Sequence, residues 1–594
     1  MKKNHHSKSG GSLRRFCSSL LLIFAIITSG CSASSCSAQQ KRVNSPAPVA
    51  EISIIPQPGL LIINKGYFEF SRDTKIIAVN GSAIEAGNSL NNLLMERYGF
   101  KLEIIQDNSW PNAITFSMDR HQEGAEEGYS LKIEPGSIQI IGNERGMFYG
   151  IQSLIQLFPA NFNGEARIPS ASIQDAPRFR YRGMQLDVSR HFMPVEFVKK
   201  YISLISRYKY NFFHWHLTDD QGWRIEIKKY PQLTAIGSKR RETVVGKHYP
   251  QNPAQRDRYQ PYLGDHIPVE GFYTQEEIRD IVAYARARYV TIVPEIDMPG
   301  HSSSALASYP GLGCKKNYPY KVQSTWGAFT DIYCPTEQTF QFIDDVLTEV
   351  ISLFPDSPYI HIGADEVFTD SWAKSKYVQD LKRANGLSSE REVQSWFINR
   401  VARIVDSKGK KIIGWDDMLD VSLPPEATVM SWRSVQNGAR AARMKHDVIM
   451  APINFTYFDH PQANASLEPL SIYRSPITLS DVYNFDPVPP ELSQEDADYI
   501  LGGEGCLWTE FMKGPREVEY MMFPRAIALA EVLWSQRENK DFRGFFKRLS
   551  RELPKLDREQ VNYRGSPQPT TQVFQPDFPE TVMPVTVQPQ IPAH

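Results

Sequence analysis

The sequence predicts an α/β protein in which a (β/α)8 TIM barrel follows a smaller α+β domain. The first observation is a series of eight short apolar segments after residue 177, most of them separated by helical stretches. Strands that alternate with helices pair in parallel, and eight such units close into a barrel. The second is the earlier part of the chain, where strands and helices lack this alternation. The third is that acidic and aromatic residues follow the apolar segments, where a barrel carries its site.

The bulk composition is that of an ordinary globular protein. The 594 residues are enough for two domains with at least one large core. The net charge of −1 gives no overall electrostatic reason to bind nucleic acid. The function must therefore be read from local motifs.

Residues 1–30 predict an export signal of the lipoprotein type. Five Lys or Arg side chains occupy the first fifteen positions, and the apolar stretch "SSLLLIFAIITSG" that follows is too short to span a bilayer. "ITSGC" resembles a bacterial lipobox, with Cys31 as the lipid-bearing residue; an ordinary secretion signal cut nearby is the alternative. Residues 31–50 read as a flexible tether. We expect an exported lipoprotein in the periplasm or at the cell surface, anchored to the outer membrane.

Residues 51–172 predict the α+β domain. Segments such as "KLEII" and "AITFSM" indicate strands, and "GYSLKIEPGSIQIIG" indicates a hairpin with Pro-Gly at its turn. Helical spacing in "AIEAGNSLNNLLMERYG" and "RGMFYGIQSLIQLF" predicts helices that cover the sheet.

Residues 177–556 predict the barrel. Its strands are expected in "GMQLDVSR", "YNFFHWHLTD", "VTIVPEID", "YIHIGADE", "KIIGWDD", "TVMSWR", "DVIMAPI" and "ILGGEGCLW". Long loops after several strands are positioned to build a site. Cys314 and Cys334 flank one of these loops and could form a disulfide in an oxidising compartment. The Pro-rich tail 566–594 has no periodicity and is predicted to be disordered.

The motif "HIGADE" ends the fourth predicted barrel strand with two adjacent acids, Asp365 and Glu366. Neighbouring side chains of a strand point to opposite faces, so both acids reach one site only if the chain leaves the strand there. An ion pair at the strand end is the alternative on these residues alone. Other strand ends supply polar or aromatic residues, namely Asp187, Arg190, His214, His216, Asp219, Asp220, Glu295, Asp297, His301, Trp415, Asp416, Asp417, Trp432, Arg433, Tyr457, Asp459, Trp508 and Glu510.

Acids, an arginine and tryptophans at one rim favour a sugar site. Pyranose rings pack their C–H faces on indole rings, and their hydroxyls pair with carboxylates and guanidinium groups. Cleavage of a glycosidic bond also needs a carboxylic acid that protonates the leaving oxygen.

"HIGADE" resembles the His-x-Gly-Gly-Asp-Glu motif of family 20 glycoside hydrolases, the β-N-acetylhexosaminidases, with Ala364 in place of the second glycine. "LDVSRHF", "NFFHWHLTDDQGWRIEIKKYPQLT", "PEIDMPGH", "GWDDML", "MSWR" and "LGGEGCLWTE" match further stretches, and the resemblance spans about residues 50 to 540. It implies a retaining exo-glycosidase that removes terminal β-linked N-acetylhexosamine, GlcNAc or GalNAc, from oligosaccharides or glycoconjugates and needs neither metal nor cofactor.

The resemblance also implies residue roles. Glu366 is the expected general acid/base, Asp365 orients the substrate's 2-acetamido group, and Tyr457 donates a hydrogen bond to the carbonyl oxygen of that group. The acetamide oxygen then attacks C1 from within the substrate, and an oxazolinium-like intermediate forms with Asp365 ionised and Glu366 protonated. The remaining implied roles are substrate binding or support of Glu366, by Arg190, Asp219, His301, Trp415, Trp432, Asp459, Trp508 and Glu510.

Two alternatives remain open. His214 and His216 share one strand face and could bind a metal, as in barrel metallohydrolases; packed, hydrogen-bonded histidines are the competing interpretation. A non-catalytic surface glycan-binding lipoprotein could keep the same barrel and pocket, although it would be expected to lack the acid Glu366.

Overall fold

The computed structural model describes residues 52–107, 110–118, 127–245, 264–464, 468–471 and 475–565. The predicted signal, Cys31, the tether and the predicted disordered tail lie outside the described residues. Within the ranges that are described, none of the helices combines the length and the apolar character that crossing a membrane requires.

The described part of the small domain is a mixed sheet with two helices packed on it. The strand order is β1-β7-β5-β6-β4-β2-β3. The elements are β1 (Leu60–Phe70), β2 (Lys75–Ile77), α1 (Gly81–Tyr98), β3 (Ile104–Ile105), β4 (Ala113–Met118), β5 (Tyr129–Glu134), β6 (Ser137–Gly142), α2 (Glu144–Gln156) and β7 (Ala166–Asp175).

The hairpin of β5 and β6 shows how the sequence produces this sheet. Side chains alternate along β5, so that Leu131 and Ile133 are buried, and Leu131 pairs with Ile140 of β6. Gly136 closes the turn at φ 92°, a conformation that glycine adopts without steric cost. The predicted Pro-Gly hairpin is therefore present, and its apolar face packs against α2.

The second part of the chain contains the barrel. Its strands are β8 (Tyr181–Asp187), β9 (Phe212–Asp219), β10 (Gly222–Trp223), β11 (Lys239–Arg240), β12 (Val269–Glu270), β13 (Thr291–Ile296), β14 (Tyr359–His361), β15 (Lys411–Trp415), β16 (Thr428–Ser431), β17 (Val448–Met450) and β18 (Ile500–Gly505).

Eight of the described strands close into a parallel barrel. The order is β8-β9-β13-β14-β15-β16-β17-β18, and β18 pairs with β8 again. All neighbours in this ring run parallel. The predicted fold class, a TIM barrel preceded by a smaller α+β domain, is confirmed. The carboxyl ends of the strands share one rim, where the predicted site residues follow them.

Helices surround this barrel. They are α3 (Val195–Arg207), α4 (Gln232–Ala235), α5 (Gln275–Arg286), α6 (Ser303–Ser308), α7 (Glu337–Leu353), α8 (Asp370–Ala373), α9 (Lys376–Asn385), α10 (Glu390–Asp406), α11 (Val435–Arg443), α12 (Ile453–Thr456), α13 (Leu479–Asn484), α14 (Gln494–Ala497), α15 (Pro515–Met522), α16 (Arg525–Trp534) and α17 (Phe542–Arg558).

Helix α10 illustrates why these segments are helical and where they pack. The Ser389 side chain accepts a hydrogen bond from the backbone of Glu392 and caps the first turn. Val393, Phe397 and Val401 are four residues apart and buried, so they form one apolar stripe that faces the barrel.

The small domain and the barrel share buried contacts. Trp534, at the end of α16, packs into the apolar core of the small domain, and its indole N–H donates to Asp175 Oδ1 at 2.9 Å. The Lys209 ammonium is fully buried, lies 2.8 Å from Asp175 Oδ2 and donates to the Tyr129 hydroxyl. A buried charge is stable only with such a partner, so these contacts fix the two parts together.

Candidate active site

The two carboxylates of "HIGADE" lie where the chain leaves β14. Just after the strand, Gly363, Ala364 and Glu366 adopt φ angles of 66°, 69° and 45°. A Cβ atom on Gly363 would lie 1.8 Å from Oδ1 of Asp297, so glycine is required there. This turn ends the strand alternation, which allows Asp365 and Glu366 to face the same histidine.

His301 connects these two acids to a second acidic pair. Its Nε2 atom lies 3.8 Å from Oδ2 of Asp365 and 3.6 Å from Oε2 of Glu366. Its Nδ1 atom lies 3.2 Å from Oδ1 of Asp219 and 3.1 Å from Oδ2 of Asp220. The Glu366 side chain is 34% exposed and that of Asp365 only 17%, so Glu366 is the acid more open to an incoming molecule.

Arg190 holds Asp219 from its other side. Its Nη2 atom lies 2.7 Å from Oδ2 of Asp219, and its Nε donates to Gln221 at 3.1 Å. The guanidinium carbon lies 5.1 Å from the ring centroid of Trp508. Arg190 therefore joins the acid cluster to the aromatic part of the site.

The charges of this cluster differ from one group to the next. Burial raises the pKa of Asp365 to about 8; His301 opposes this, and the carboxylates of Asp417 and Glu366 add to it. Burial lowers the pKa of His301. The charge of Asp219 and the hydrogen bonds of His301 with Asp219 and Asp220 outweigh this and hold that pKa well above the usual range. The sequence predicts that Asp365 is ionised during the reaction. Because burial raises the pKa of Asp365 in the free protein, this ionisation needs a change in the surroundings of Asp365 when a substrate binds.

Aromatic rings form a wall beside the acids. The Tyr457 ring stacks on Trp432, with centroids 6.1 Å apart and planes 20° apart, and lies 6.1 Å from Trp508. Trp415 lies 5.7 Å from Trp508. The structure thus brings together the three tryptophans and the tyrosine that the sequence placed near strand ends.

Two of these tryptophans are oriented by carboxylates. The indole N–H of Trp415 donates to Oε1 of Glu295 at 3.0 Å, and that of Trp432 donates to Oδ2 of Asp417 at 2.8 Å. The other oxygen of Asp417 accepts the backbone N–H of Glu366 at 3.4 Å. Asp417 therefore holds both the wall and the turn that carries Glu366.

Asp459 and Glu510 supply further buried acid oxygens. Asp459 Oδ1 and Glu510 Oε2 make no hydrogen bond to the described residues. Burial raises the pKa of Glu510 to about 7 against the effect of Arg190, and burial with the nearby Glu510 raises the pKa of Asp459 well above its usual range. Unpartnered buried acid oxygens are suited to bind sugar hydroxyls.

The histidines of "HWH" lie inside the barrel. His214 Nδ1 lies 2.8 Å from Glu504, and His216 Nε2 lies 2.9 Å from Asp219. Ligand atoms of His214, Glu295 and His361 lie within 4.8 Å of one another, a spacing that a metal could use. His214 Nδ1 is hydrogen-bonded to Glu504, and both nitrogens of His216 are hydrogen-bonded to carboxylates, which favours the packed interpretation over the metal one.

Cys314 and Cys334 form a disulfide with Cα atoms 4.8 Å apart. The enclosed loop packs behind the acid cluster, because the backbone N–H of Gln323 donates to the Asp220 carbonyl at 3.0 Å. The Gln221 side chain also donates to the Thr325 carbonyl at 2.9 Å.

Glu295, Asp297 and Asp417 lie at strand ends, as the sequence predicts, but the motifs alone assign them no role. Their roles depend on which side chains face them across the barrel, and one sequence without its strand register does not show this. The signal that could have found them is their position, since each follows an apolar strand segment and is acidic.

Two family profiles match nearly the whole described chain. The one described as glycosyl hydrolase family 20, catalytic domain, matches residues 179–537, and the one described as glycosyl hydrolase family 20, domain 2, matches residues 51–176.

Similar proteins carry related names. A beta-hexosaminidase of Porphyromonas gingivalis is 40% identical over 89% of this chain, which spans 66% of that relative's length. A beta-hexosaminidase of Vibrio furnissii is 35% identical over 81% of this chain and 76% of its own. Among solved structures, an exo β-N-acetylglucosaminidase of Vibrio harveyi in complex with N-acetylglucosamine has a TM-score of 0.76 and 34% identity, covering 87% of this chain and 79% of the other.

Proposed function

Because this chain belongs to glycosyl hydrolase family 20, we propose that it is a β-N-acetylhexosaminidase, an exo-acting enzyme that removes terminal non-reducing β-linked N-acetylhexosamine from oligosaccharides or glycoconjugates. The observation that carries the proposal is the pair Asp365 and Glu366, which the turn after β14 directs at one histidine. The names of similar proteins support the substrate class.

Glu366 is the proposed general acid and base. It is the more exposed of the two acids, and His301 lies 3.6 Å from its Oε2 atom. Glu366 protonates the leaving oxygen, and it later takes a proton from the water that opens the intermediate. His301 lies beside Glu366, and Asp219 is hydrogen-bonded to the other nitrogen of His301. This pair is proposed to stabilise the negative charge of Glu366 after Glu366 has given up its proton.

Asp365 is proposed to act on the acetamide. In the free protein, burial raises the pKa of Asp365 to about 8, which favours the protonated form. The acetamide N–H would donate a hydrogen bond to Asp365, which favours the ionised form. The ionised carboxylate then stabilises the positive charge that develops on the amide while its oxygen attacks C1. Configuration at C1 is retained, because two displacements occur.

The remaining residues are proposed to bind the sugar. The wall of Trp415, Trp432 and Trp508 would enclose the acetamide and the ring, and Tyr457 would donate to the acetamide oxygen. Hydroxyls would pair with Arg190, Asp459 and Glu510. The proposal assigns no step to a metal or a cofactor.

The decisive experiment compares aryl glycosides that differ only at C2. The wild type should cleave aryl β-N-acetylglucosaminide or β-N-acetylgalactosaminide and leave the 2-hydroxyl glycoside essentially uncleaved, because only the acetamide provides the nucleophile. Rapid cleavage of the 2-hydroxyl substrate with a sugar trapped on an enzyme carboxylate would contradict the proposal. No cleavage of any sugar, with retained glycan binding, would instead support a non-catalytic binding protein.

Variants separate the two acids. Glu366→Gln should lower kcat/KM about 10²- to 10⁴-fold on a poor leaving group and much less on an activated aryl group, since only the former needs protonation. Asp365→Asn should slow both, because it removes the charge that supports the acetamide. Equal losses of Glu366→Gln on both substrates would contradict the acid role.

We further propose export with a lipid on Cys31, and location in the periplasm or at the cell surface, attached to the outer membrane. The sequence "LLLIFAIITSGC" supports this, and it lies outside the described residues. Cys31→Ser should release the protein from membranes without loss of activity. A variant that stays in the membrane fraction would show that Cys31 is not the anchor.

A further inference from the structure

Glu295 of β13 is a fully buried carboxylate with a partner on each oxygen. Oε1 accepts the indole N–H of Trp415 at 3.0 Å and lies 2.9 Å from Nδ1 of His361. Oε2 lies 3.0 Å from Nε2 of His214 and is hydrogen-bonded to Nδ1 of His216. A buried carboxylate is costly in free energy unless it is paired in this way, so these contacts are strongly coupled.

The contacts of Glu295 reach two parts of the site. On one side, Trp415 is a member of the aromatic wall, 5.7 Å from Trp508. On the other side, His216 Nε2 lies 2.9 Å from Asp219, and Asp219 Oδ1 lies 3.2 Å from His301. A continuous series of contacts therefore runs from the barrel interior to the histidine that faces Glu366.

We propose that Glu295 is a positioning residue that sets both the orientation of the Trp415 wall and, through His216 and Asp219, the proton affinity of the His301–Glu366 pair. The inference rests on the proposed function, because it concerns the acid of that reaction. It adds a buried group that contacts no part of the substrate.

The charge of His216 is central to this mechanism. The carboxylates that face it are Glu295 and Asp219, with Asp187 and Asp297 nearby. Burial lowers the pKa of His216, but Glu295 and Asp219 hold that pKa well above its usual range. His216 thus stays a cation, donates to both carboxylates, and reduces the attraction of Asp219 for the proton of His301.

The groups around His301 determine the direction of the expected effect. Asp219 and Asp220 face its Nδ1 atom, and Asp365 and Glu366 face its Nε2 atom. The buried carboxyl of Asp297 also lies within 4.8 Å of the group that His301 forms with Asp365. Removal of the Glu295 charge takes away the largest of the effects that keep buried His216 protonated, so we expect His216 to be neutral at assay pH. A positive charge beside Asp219 then disappears, so each apparent pKa of the His301–Glu366 pair rises.

Glu504 provides a matched control. It is also fully buried in the barrel, its Oε1 lies 2.8 Å from His214 Nδ1, and its Oε2 accepts the Tyr181 hydroxyl at 2.6 Å. Its hydrogen bonds in the described part of the chain reach neither His216 nor Trp415. Glu504→Gln therefore removes one buried charge from the same network without breaking the proposed series.

The experiment measures kcat/KM against pH on an aryl β-N-acetylhexosaminide for the wild type, Glu295→Gln and Glu504→Gln. We expect Glu295→Gln to shift the profile to higher pH by about one unit and to raise KM several-fold, and Glu504→Gln to leave the profile in place. Equal shifts in the two variants, or no shift in Glu295→Gln, would overturn the inference.

Further variants separate the two effects and cover a failure to fold. Trp415→Phe removes only the indole donor, so it should raise KM without moving the pH profile. If Glu295→Gln is not obtained folded, His216→Gln breaks the same series one contact later and should give the same upward shift. Glu295→Asp should return the profile towards that of the wild type.

An inactive wild type would count against the proposed function, whereas an active wild type with unshifted variants would count against Glu295 alone.

Discussion

Asp365→Asn should make the protein more stable at neutral pH while it removes most of the activity. Burial raises the pKa of Asp365 from an ordinary 3.8 to about 8. A group whose pKa is raised on folding contributes stability that is fully present below the unfolded value and is lost as the pH rises through the folded value. Asp365 therefore destabilises the fold progressively between about pH 4 and pH 8.

The size of this effect follows from the proton balance. Between pH 5 and pH 7 the folded protein keeps the Asp365 proton and the unfolded chain does not, which costs about 1.4 kcal/mol per pH unit. The free energy of unfolding of the wild type should therefore fall by up to about 3 kcal/mol more over this interval than that of Asp365→Asn.

Urea unfolding at pH 5 and pH 7, followed by tryptophan fluorescence, measures this difference. Asp406→Asn, at the exposed end of α10, is the control and should follow the wild type. If the wild type and Asp365→Asn lose stability in parallel between the two pH values, Asp365 is not the buried, protonated acid that the structure indicates.

Three other predictions concern the surroundings of the site. Gly363→Ala should lower kcat/KM at least about 100-fold, because the added methyl group meets Asp297 at 1.8 Å; wild-type kinetics would contradict the required turn. Joint Cys314→Ser and Cys334→Ser substitution opens a loop of 20 residues and should cost about 3 kcal/mol, read as a lower Tm that reducing agent no longer affects; an unchanged Tm would refute it. Lys209→Met leaves the Asp175 charge buried and unpaired and should cost about 3–5 kcal/mol in a thermal or urea unfolding assay, so a small effect would show that water reaches this contact.

The sequence predicted the features of the site that depend on residues close together in the chain. The alternation of strands and helices predicts the barrel, and strand ends then bring Asp365, His301 and Trp508 to one rim. The departure from the strand at Gly363 also follows locally, since adjacent acids cannot otherwise share a face.

The contacts between distant strands could not be predicted in the same way. Glu295 and Trp415 are 120 residues apart, and their hydrogen bond depends on the register of β13, β14 and β15. The raised pKa of Asp365 in the free protein could not be predicted either, because burial is a property of the folded surroundings and no motif expresses it.

The position of Trp534 has a consequence for the order in which the protein is made. This residue fills the core of the small domain and donates to Asp175, which lies 359 residues earlier. A ribosome therefore releases the whole of the small domain long before the side chain that completes its interior is synthesised. We therefore expect the small domain to reach its full stability only after α16 has been synthesised and Trp534 has joined its core.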